Sequence, residues 1–169
     1  MKITVREATL ADAERLIRHL QLLLSEKHVD IPLAPNEFDL TVEEERELLA
    51  AHNESDNSIF LLAEAGSDLV GQLNLKGSKR KALAHSAVLG MSVHRTWRNK
   101  GVGSALIGKA LAWARHGGVL KRIELYVYAR NQPAIHLYEK FGFQVEGRRQ
   151  KVIYQGGEYL DDLIMAILL

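Results

Sequence analysis

The segment Val93-His-Arg-Thr-Trp-Arg-Asn-Lys-Gly-Val-Gly-Ser104 decides the fold of this chain. An apolar run that begins at Ala87 leads into it, and a segment with helical periodicity follows from Ala105. Gly101 and Gly103 let the main chain approach a ligand closely, because they lack a side chain. The first turn of a helix adds N–H groups without acceptors and a partial positive charge. A strand, this turn and a helix in succession therefore predict an anion site suited to a phosphate or pyrophosphate.

Composition limits the classes of protein to which the chain can belong. The 169 residues, 47% of them hydrophobic and 25% charged, predict one globular domain over residues 1–169. A formal net charge of +1 gives no basic field for nucleic acid. The N-terminal residues lack the apolar core of a signal peptide, and no apolar run is long enough to span a membrane. We therefore expect a soluble, cytoplasmic protein that binds neither nucleic acid nor membranes.

The cysteine and histidine content excludes further chemistry. The chain has no cysteine, which excludes disulfides, thiolate metal sites and a cysteine nucleophile. Its seven histidines are scattered, without the spacing of a zinc-binding helix. We therefore expect no metal ion.

Periodicity, capping residues and turn signals predict a mixed α/β domain with the element order β-α-α-β-β-β-α-β-α-β-β. Thr9 with Asp12, and Thr41 with Glu44, are capping boxes that begin the first two helices. The predicted strands are residues 3–7, 58–65, 69–76, 86–93, 122–128, 145–154 and 159–168, and the later helices are residues 101–116 and 131–141. This order places the basic turn between a central strand and its helix.

Two nucleotide-binding motifs compare poorly with this turn. The dinucleotide fingerprint requires a small residue three positions after its second glycine, where the chain has Leu106. The glycines of that fingerprint also follow the strand directly, whereas several residues separate Val93 from Gly101. The triphosphate-binding loop requires Gly-Lys-Ser/Thr, which the segment lacks. Neither motif fits the pattern well.

Two segments resemble the motifs of one enzyme superfamily. Arg98-x-x-Gly101-x-Gly103 resembles the acyl-CoA pyrophosphate motif of the GNAT superfamily of N-acetyltransferases. Asn131-Gln-Pro-Ala-Ile-His-Leu-Tyr-Glu-Lys-Phe-Gly-Phe143 is similar to its second signature, Asn-x-x-Ala-x-x-Leu-Tyr-x-x-x-Gly-Phe. The spacing of the segments and the order of elements also match. The resemblance therefore covers essentially the whole chain.

The resemblance implies acetyl-CoA as a co-substrate, bound where two central parallel strands splay apart. These strands end at Val93 and near Tyr128. Main-chain groups of the first strand would pair with the pantetheine arm, and N–H groups of the turn would bind the pyrophosphate, with Arg98 beside it. The expected coenzyme-binding residues are Met91, Val93, Arg98, Asn99, Lys100, Gly101, Val102, Gly103, Ser104 and Asn131.

The implied reaction is direct attack of an amine on the thioester in a ternary complex. A main-chain N–H near Val93 would stabilise the oxyanion. Tyr138, from the Leu-Tyr pair of the second signature, would protonate the departing thiolate. A base must also accept a proton from the incoming ammonium. The candidates for this base, which stay open, are Glu64, His85, Glu124, Tyr126 and a chain of water molecules.

The predicted activity is transfer of an acetyl group to the primary amine of a small molecule. Residues 143–161 and 89–93 resemble a branch of amino-acid and phosphinothricin-type acetyltransferases, which makes an amino acid a candidate acceptor. Two alternatives stay open: a peptide or protein acceptor, as in ribosomal-protein acetyltransferases, and an acyl-CoA-binding regulatory module without turnover. The resemblance is also compatible with a homodimer. We expect residues 32–39 and the last hairpin to form the acceptor pocket.

Overall fold

A computed structural model describes residues 2–169. Over this range the chain forms seven β-strands and four α-helices in the predicted order. The elements are β1 (Ile3–Glu7), α1 (Ala13–Leu24), α2 (Val42–Asn53), β2 (Ile59–Ala65), β3 (Asp68–Gly77), β4 (Ser86–Val93), α3 (Val102–Gly117), β5 (Arg122–Tyr128), α4 (Gln132–Lys140), β6 (Gln144–Gln155) and β7 (Glu158–Leu168). None of the helices within residues 2–169 has the length and apolar character needed to span a membrane.

The strands join one mixed sheet in the order β1-β2-β3-β4-β5-β7-β6. Neighbouring strands run antiparallel except the central pair, β4 and β5, which run parallel. A parallel pair requires a crossover connection, and α3 provides it. Leu61 packs in the core on the α3 face of the sheet, and the next residue, Leu62, packs in a second cluster with α1 and α2 on the opposite face. The predicted mixed α/β fold is confirmed.

Two apolar clusters hold the helices against the sheet. Burial of each leucine or isoleucine side chain contributes roughly 1.5–3 kcal/mol. The larger cluster, on the α3 face, includes Leu61, Leu73, Leu106, Ile107, Ile123, Leu125 and Phe143. The smaller cluster, on the opposite face, contains Ala8, Ala13, Leu16, Leu49 and Leu62. Together they form a rigid frame around the centre of the sheet.

β4 and β5 diverge after three residue pairs. Residues 86–88 pair with residues 122–124, and beyond Val88 the two strands have no further pairing within the described chain. β4 nevertheless continues alongside β3 as far as Val93. The predicted splay of two central parallel strands is therefore confirmed. It leaves one side of β4 without a neighbouring strand.

The alternation of main-chain hydrogen bonds shows which groups of β4 face this gap. The N–H of His94 donates to a carbonyl of the β3 segment at 2.9 Å, so residues of β4 in phase with His94 bond to β3. The N–H of Lys121 donates to the carbonyl of His85 at 2.8 Å, so the intervening residues face β5. Met91 and Val93 are in phase with His85. Their N–H and C=O groups therefore face the gap. The carbonyl of Val93 accepts a hydrogen bond from Nε of Arg98, and the other three groups are available to a ligand.

A charged network joins the start of α1 to the sheet. Nη1 and Nη2 of Arg6 each donate to the Asp12 carboxylate at 2.8 Å, and the N–H of Thr9 donates to it at 2.9 Å. Arg6 and Arg15 also donate to Glu64. Asp12 is buried, and its hydrogen bonds, first of all those from Arg6, hold the pKa of its carboxyl far below the usual range. Asp12, which the sequence predicted as one half of a capping box, thus also belongs to a larger ion-pair network.

We predict that Asp12→Asn lowers the free energy of unfolding at neutral pH by about 2 kcal/mol, because charged hydrogen bonds to a buried carboxylate are lost. The control is Glu14→Gln, which removes an exposed pair with Arg18 and should cost less than about 0.5 kcal/mol. Both values come from urea unfolding followed by circular dichroism.

This contribution should also depend on pH. The pKa of Asp12 is lower in the folded protein than in the unfolded chain, so its stabilisation is complete above about pH 4 and falls as the pH drops further. The difference between wild type and Asp12→Asn should shrink in acid. A difference that stays constant down to pH 3, or that is absent at neutral pH, would contradict this account of the network.

Candidate functional site

A cavity of about 1080 Å³ lies at the gap between β4 and β5, and both faces of the sheet contribute to its wall. The α3 face contributes the start of α3 and residues of α4, and the opposite face contributes α1, residues 28–32 and side chains of β5, β6 and β7. The gap in the sheet thus connects two compartments. We call the part beside α3 and α4 the α3 side, and the part beside α1 and residues 28–32 the α1 side.

The cavity collects nearly all of the residues predicted for the site. The wall contains Met91, Val93, Arg98, Asn99, Gly101, Val102, Gly103, Ser104, Asn131 and Tyr138. Lys100 does not line it: the Lys100 ammonium lies 5.2 Å from the ring centroid of Trp97, where a cation–π contact holds it. Residues from three separate elements and the turn are therefore brought together at one cavity.

The start of α3 presents main-chain donors to the α3 side of the cavity. Asn99 and Gly101 have positive φ values of 59° and 82°, which turn the chain sharply before the helix. The first main-chain bond of the helix runs from the N–H of Ala105 to the carbonyl of Gly101, at 3.0 Å. The N–H groups of residues 102–104 precede it, so they lie at the positive end of the helix without helical acceptors. This geometry suits an anion.

Gly103 is required for close packing at this helix start. A Cβ at this position would lie 2.8 Å from Cδ2 of Leu137 in α4 and 3.5 Å from Cε of Met91 in β4. The turn, α4 and the open side of β4 therefore meet at Gly103. A larger side chain there would displace Leu137 or enter the cavity.

Arg98 is tied to its neighbours, which the sequence did not indicate. Its Nε donates to the carbonyl of Val93 at 3.0 Å, and its Nη2 donates to Glu26 at 2.6 Å. Glu26 neutralises part of the charge that the sequence assigned to the turn. Arg98 therefore also fixes the end of β4 relative to the segment after α1.

The second sequence motif forms α4 and places Tyr138 at the cavity. Oδ1 of Asn131 accepts the N–H of Ala134 at 3.3 Å, which is the predicted N-cap. The Tyr138 ring is buried, with an edge contact to Phe143 at 5.7 Å between ring centroids. Burial raises the pKa of the Tyr138 hydroxyl to about 12. The hydroxyl therefore keeps its proton at neutral pH and can act as a proton donor.

The four candidate bases differ in their partners and in their distance from the cavity. Glu64 is paired with two arginines, and Glu124 accepts hydrogen bonds from Arg122 and Tyr126. His85 lies in the turn before β4, at the end of that strand remote from the glycine turn. Tyr126 is the one of the four that lines the cavity.

A partly buried polar cluster on the α1 side was not predicted. Nε2 of His19 lies 3.2 Å from Oγ of Ser92, and Nε2 of Gln72 lies 3.2 Å from the same oxygen. Burial, followed by the charge of His94, lowers the pKa of His19 to about 4, so its ring is neutral at physiological pH. Ser92 and Gln72 line the cavity. The sequence did not indicate this cluster, because His19 in α1 and Ser92 in β4 are far apart along the chain.

The predicted acceptor pocket is shifted along its loop. Residues 28–32 line the cavity, whereas residues 33–39 do not. The last hairpin contributes Arg149, Val152, Ile153 and Asp162 to the same wall.

The part of the chain described by the structure contains no group of three or more histidine, aspartate or glutamate side chains placed to hold a metal ion.

Known proteins with similar sequences are acetyltransferases. A family model described as "Acetyltransferase (GNAT) family" matches residues 25–143, more than half of the chain. The L-amino acid N-acetyltransferase AaaT of Escherichia coli (strain K12) is 38% identical over 106 residues, which are 63% of this chain and 65% of that protein. The match thus spans just under two thirds of the length of this curated relative.

Solved structures show the same architecture. The acetyltransferase of GNAT family from Streptococcus pneumoniae has a TM-score of 0.95 and 34% identity, with coverage of 99% of this chain and 100% of that chain. The GNAT superfamily phosphinothricin acetyltransferase from Sinorhizobium meliloti, solved in complex with AcCoA, has a TM-score of 0.86 and 18% identity, with coverage of 100% and 89%. The first is similar in sequence and fold, and the second in fold.

Proposed function

The chain belongs to the acetyltransferase (GNAT) family. On that premise we propose that it is an acetyl-CoA-dependent N-acetyltransferase that acetylates the primary amine of a small molecule, with amino acids as the acceptor class. The observation that carries this proposal is one cavity that joins an anion-binding helix start to a separate compartment through the β4–β5 gap. The name of the E. coli relative, an L-amino acid N-acetyltransferase, supports the acceptor class.

In this proposal the coenzyme occupies the α3 side of the cavity. Its pyrophosphate accepts hydrogen bonds from the N–H groups of residues 102–104, and Ser104 adds its hydroxyl. Its pantetheine arm lies along the open side of β4, where the main-chain groups of Met91 and Val93 face the gap. Asn131 supports this arm from the start of α4. The thioester then lies in the gap, within reach of an acceptor on the α1 side.

Catalysis in this proposal rests on positioning and on two hydrogen-bond donors. The incoming ammonium first gives one proton to cavity water. The neutral amine then attacks the thioester carbonyl, and the N–H of Val93 stabilises the oxyanion that forms. The C–S bond then breaks, and the Tyr138 hydroxyl gives its proton to the departing thiolate. The new amide nitrogen loses its extra proton, and solvent restores the proton of Tyr138. Cavity water can receive the proton from nitrogen, since Tyr126 already donates its hydroxyl hydrogen to Glu124.

The activity is tested by measuring thiol release from acetyl-CoA with a panel of acceptors. We expect turnover with free amino acids and none above background with peptides that share their N-terminal residues. Turnover of peptides alone would replace the proposed acceptor with a peptide amine. Tight coenzyme binding without turnover on any amine would refute the catalytic proposal in favour of a binding module.

The coenzyme position is tested by Gly103→Arg, with Gly117→Arg at the other end of α3 as the control. Gly103 faces Leu137 and Met91, whereas a side chain at Gly117 meets nothing within 4 Å. Calorimetry with CoA should show about tenfold or greater loss of affinity for Gly103→Arg, equivalent to at least 1.4 kcal/mol, and no change for Gly117→Arg. If the folded Gly103→Arg protein bound CoA with wild-type affinity, the coenzyme would not bind at the start of α3.

The role of Tyr138 is tested by Tyr138→Phe, with the exposed Tyr154→Phe as the control. Loss of a general acid should lower kcat by about a hundredfold or more, while CoA affinity stays within about twofold. Steady-state kinetics and calorimetry give the two values. A kcat that stays at the wild-type level would remove Tyr138 from the mechanism.

A further inference from the structure

Arg149 and Asp162 form an ion pair in the wall of the cavity. Nε of Arg149 donates to Oδ1 of Asp162 at 2.8 Å, and Nη2 donates to Oδ2. The Asp162 side chain is 5% exposed, whereas that of Arg149 is 43% exposed. A buried carboxylate therefore holds a half-exposed guanidinium in a fixed orientation.

The ring of Tyr126 supports the same guanidinium from a second direction. Its centroid lies 4.4 Å from Cζ of Arg149, and its hydroxyl donates to Glu124 at 2.9 Å. Arg149 pairs with Asp162, and Tyr126 pairs with Ile164, two residues further along β7. Side chains two residues apart lie on one face of a strand, so these groups share a face. Because the neighbours of Tyr126, at positions 125 and 127, pack in the α3-face core, this shared face is on the α1 side.

One edge of the Arg149 guanidinium has no protein partner. Within residues 2–169, Nε and Nη2 donate to Asp162 and Nη1 donates no hydrogen bond. A guanidinium N–H edge forms charge-assisted hydrogen bonds with a carboxylate. The ion pair is electrically neutral, and so is a zwitterionic amino acid. Such a ligand therefore brings no net charge into the cavity.

Other arginines near the cavity do not offer this edge to the α1 side. Arg98 is bound by two acceptors beside the turn that precedes α3. Arg130 donates to Asp30 through Nε and Nη2 and lies outside the cavity wall. Arg148 pairs with Asp161 and also lies outside the wall. Arg149 is thus singled out by its position in the wall on the α1 side.

The wall on the α1 side also contains apolar residues near β6 and α1. Arg149 pairs with Asp162, and the next residue of β6 that pairs with β7 is Ile153, opposite Leu160. β6 therefore has extra residues between these two pairs, and the resulting bulge bends the strand. Apolar residues of the wall on this side include Leu20, Leu23, Val29, Ile31, Val152 and Ile153, and the polar residues His28, Asp30, Gln72 and Ser92 line it as well. A ligand bound through its carboxylate at Arg149 would place an aliphatic side chain among these apolar residues.

From this arrangement we propose that Arg149 binds the α-carboxylate of the acceptor, which is a free amino acid with an apolar side chain. This inference rests on the proposed function, since it identifies the acceptor of that reaction. The carboxylate and the side chain are held at two places, which leaves the amine to face the gap. Arg149 determines specificity and does not touch the reacting atoms. An amide or a peptide lacks the carboxylate at this position and is discriminated against.

The test compares three acceptors with one side chain: leucine, leucinamide and 3-methylbutylamine. Wild type should acetylate leucine with the highest kcat/KM. Arg149→Gln should lower kcat/KM for leucine roughly ten- to hundredfold and change the other two by less than about threefold, because a charged hydrogen bond to the carboxylate is lost. Arg149→Lys should recover part of the loss. Arg148→Gln, which removes the neighbouring cross-strand pair outside the cavity, should behave as wild type with all three.

Calorimetry separates this inference from the proposed function. Leucine is titrated into protein saturated with CoA, where no reaction occurs, and Arg149→Gln should weaken its binding by the same factor. Leucine binding that depends on Arg149, without acetylation of any amine, would refute the proposed function but support the carboxylate site. Wild-type protein that binds no leucine, or that turns over leucinamide as well as leucine, would overturn the carboxylate site. These two wild-type results hold even if the variants fail to fold.

Discussion

The early separation of β4 from β5 is the constraint on which the site depends. A parallel pair in the middle of a sheet normally continues its hydrogen bonds along the whole overlap, but this pair stops after three residue pairs. β3 holds β4 in place on its other side, so the strand stays extended with one row of donors and acceptors free. Such groups cost free energy when buried without partners. A ligand with amide groups of its own, lying parallel to β4, satisfies them.

The two faces of the sheet give the two ends of this gap different chemistry. On the α3 side, the start of a long helix supplies N–H groups and a partial positive charge, which suit an anion. On the α1 side, a wall of apolar and polar residues includes one half-exposed arginine that is fixed by Asp162 and Tyr126. The gap is the meeting point of the two compartments. In the proposed reaction, the coenzyme and the amine approach from opposite faces and meet in the gap already oriented, and such orientation is the main requirement for direct acyl transfer.

Local sequence signals were sufficient for the fold and for the position of the α3 start beside the gap. Thr41 with Glu44, Asn131 and Gly101 act through residues a few positions away, so their effects could be predicted from the chain alone. The α1 side depends on contacts between distant residues. Glu26 meets Arg98 across 72 positions, and His19 meets Ser92 across 73. No local pattern marks such pairs, and Arg149 with Asp162 becomes a site only once β5 supplies Tyr126.

Amide hydrogen exchange, followed residue by residue by NMR with and without saturating CoA, tests the central claim most directly. Coenzyme bound in the gap should slow exchange at Met91, Val93 and residues 102–104, since these N–H groups gain acceptors. Amides of β4 that already bond to β3 should change little and serve as the internal reference. Saturation with CoA that leaves exchange at Met91, Val93 and the start of α3 unchanged would contradict the account.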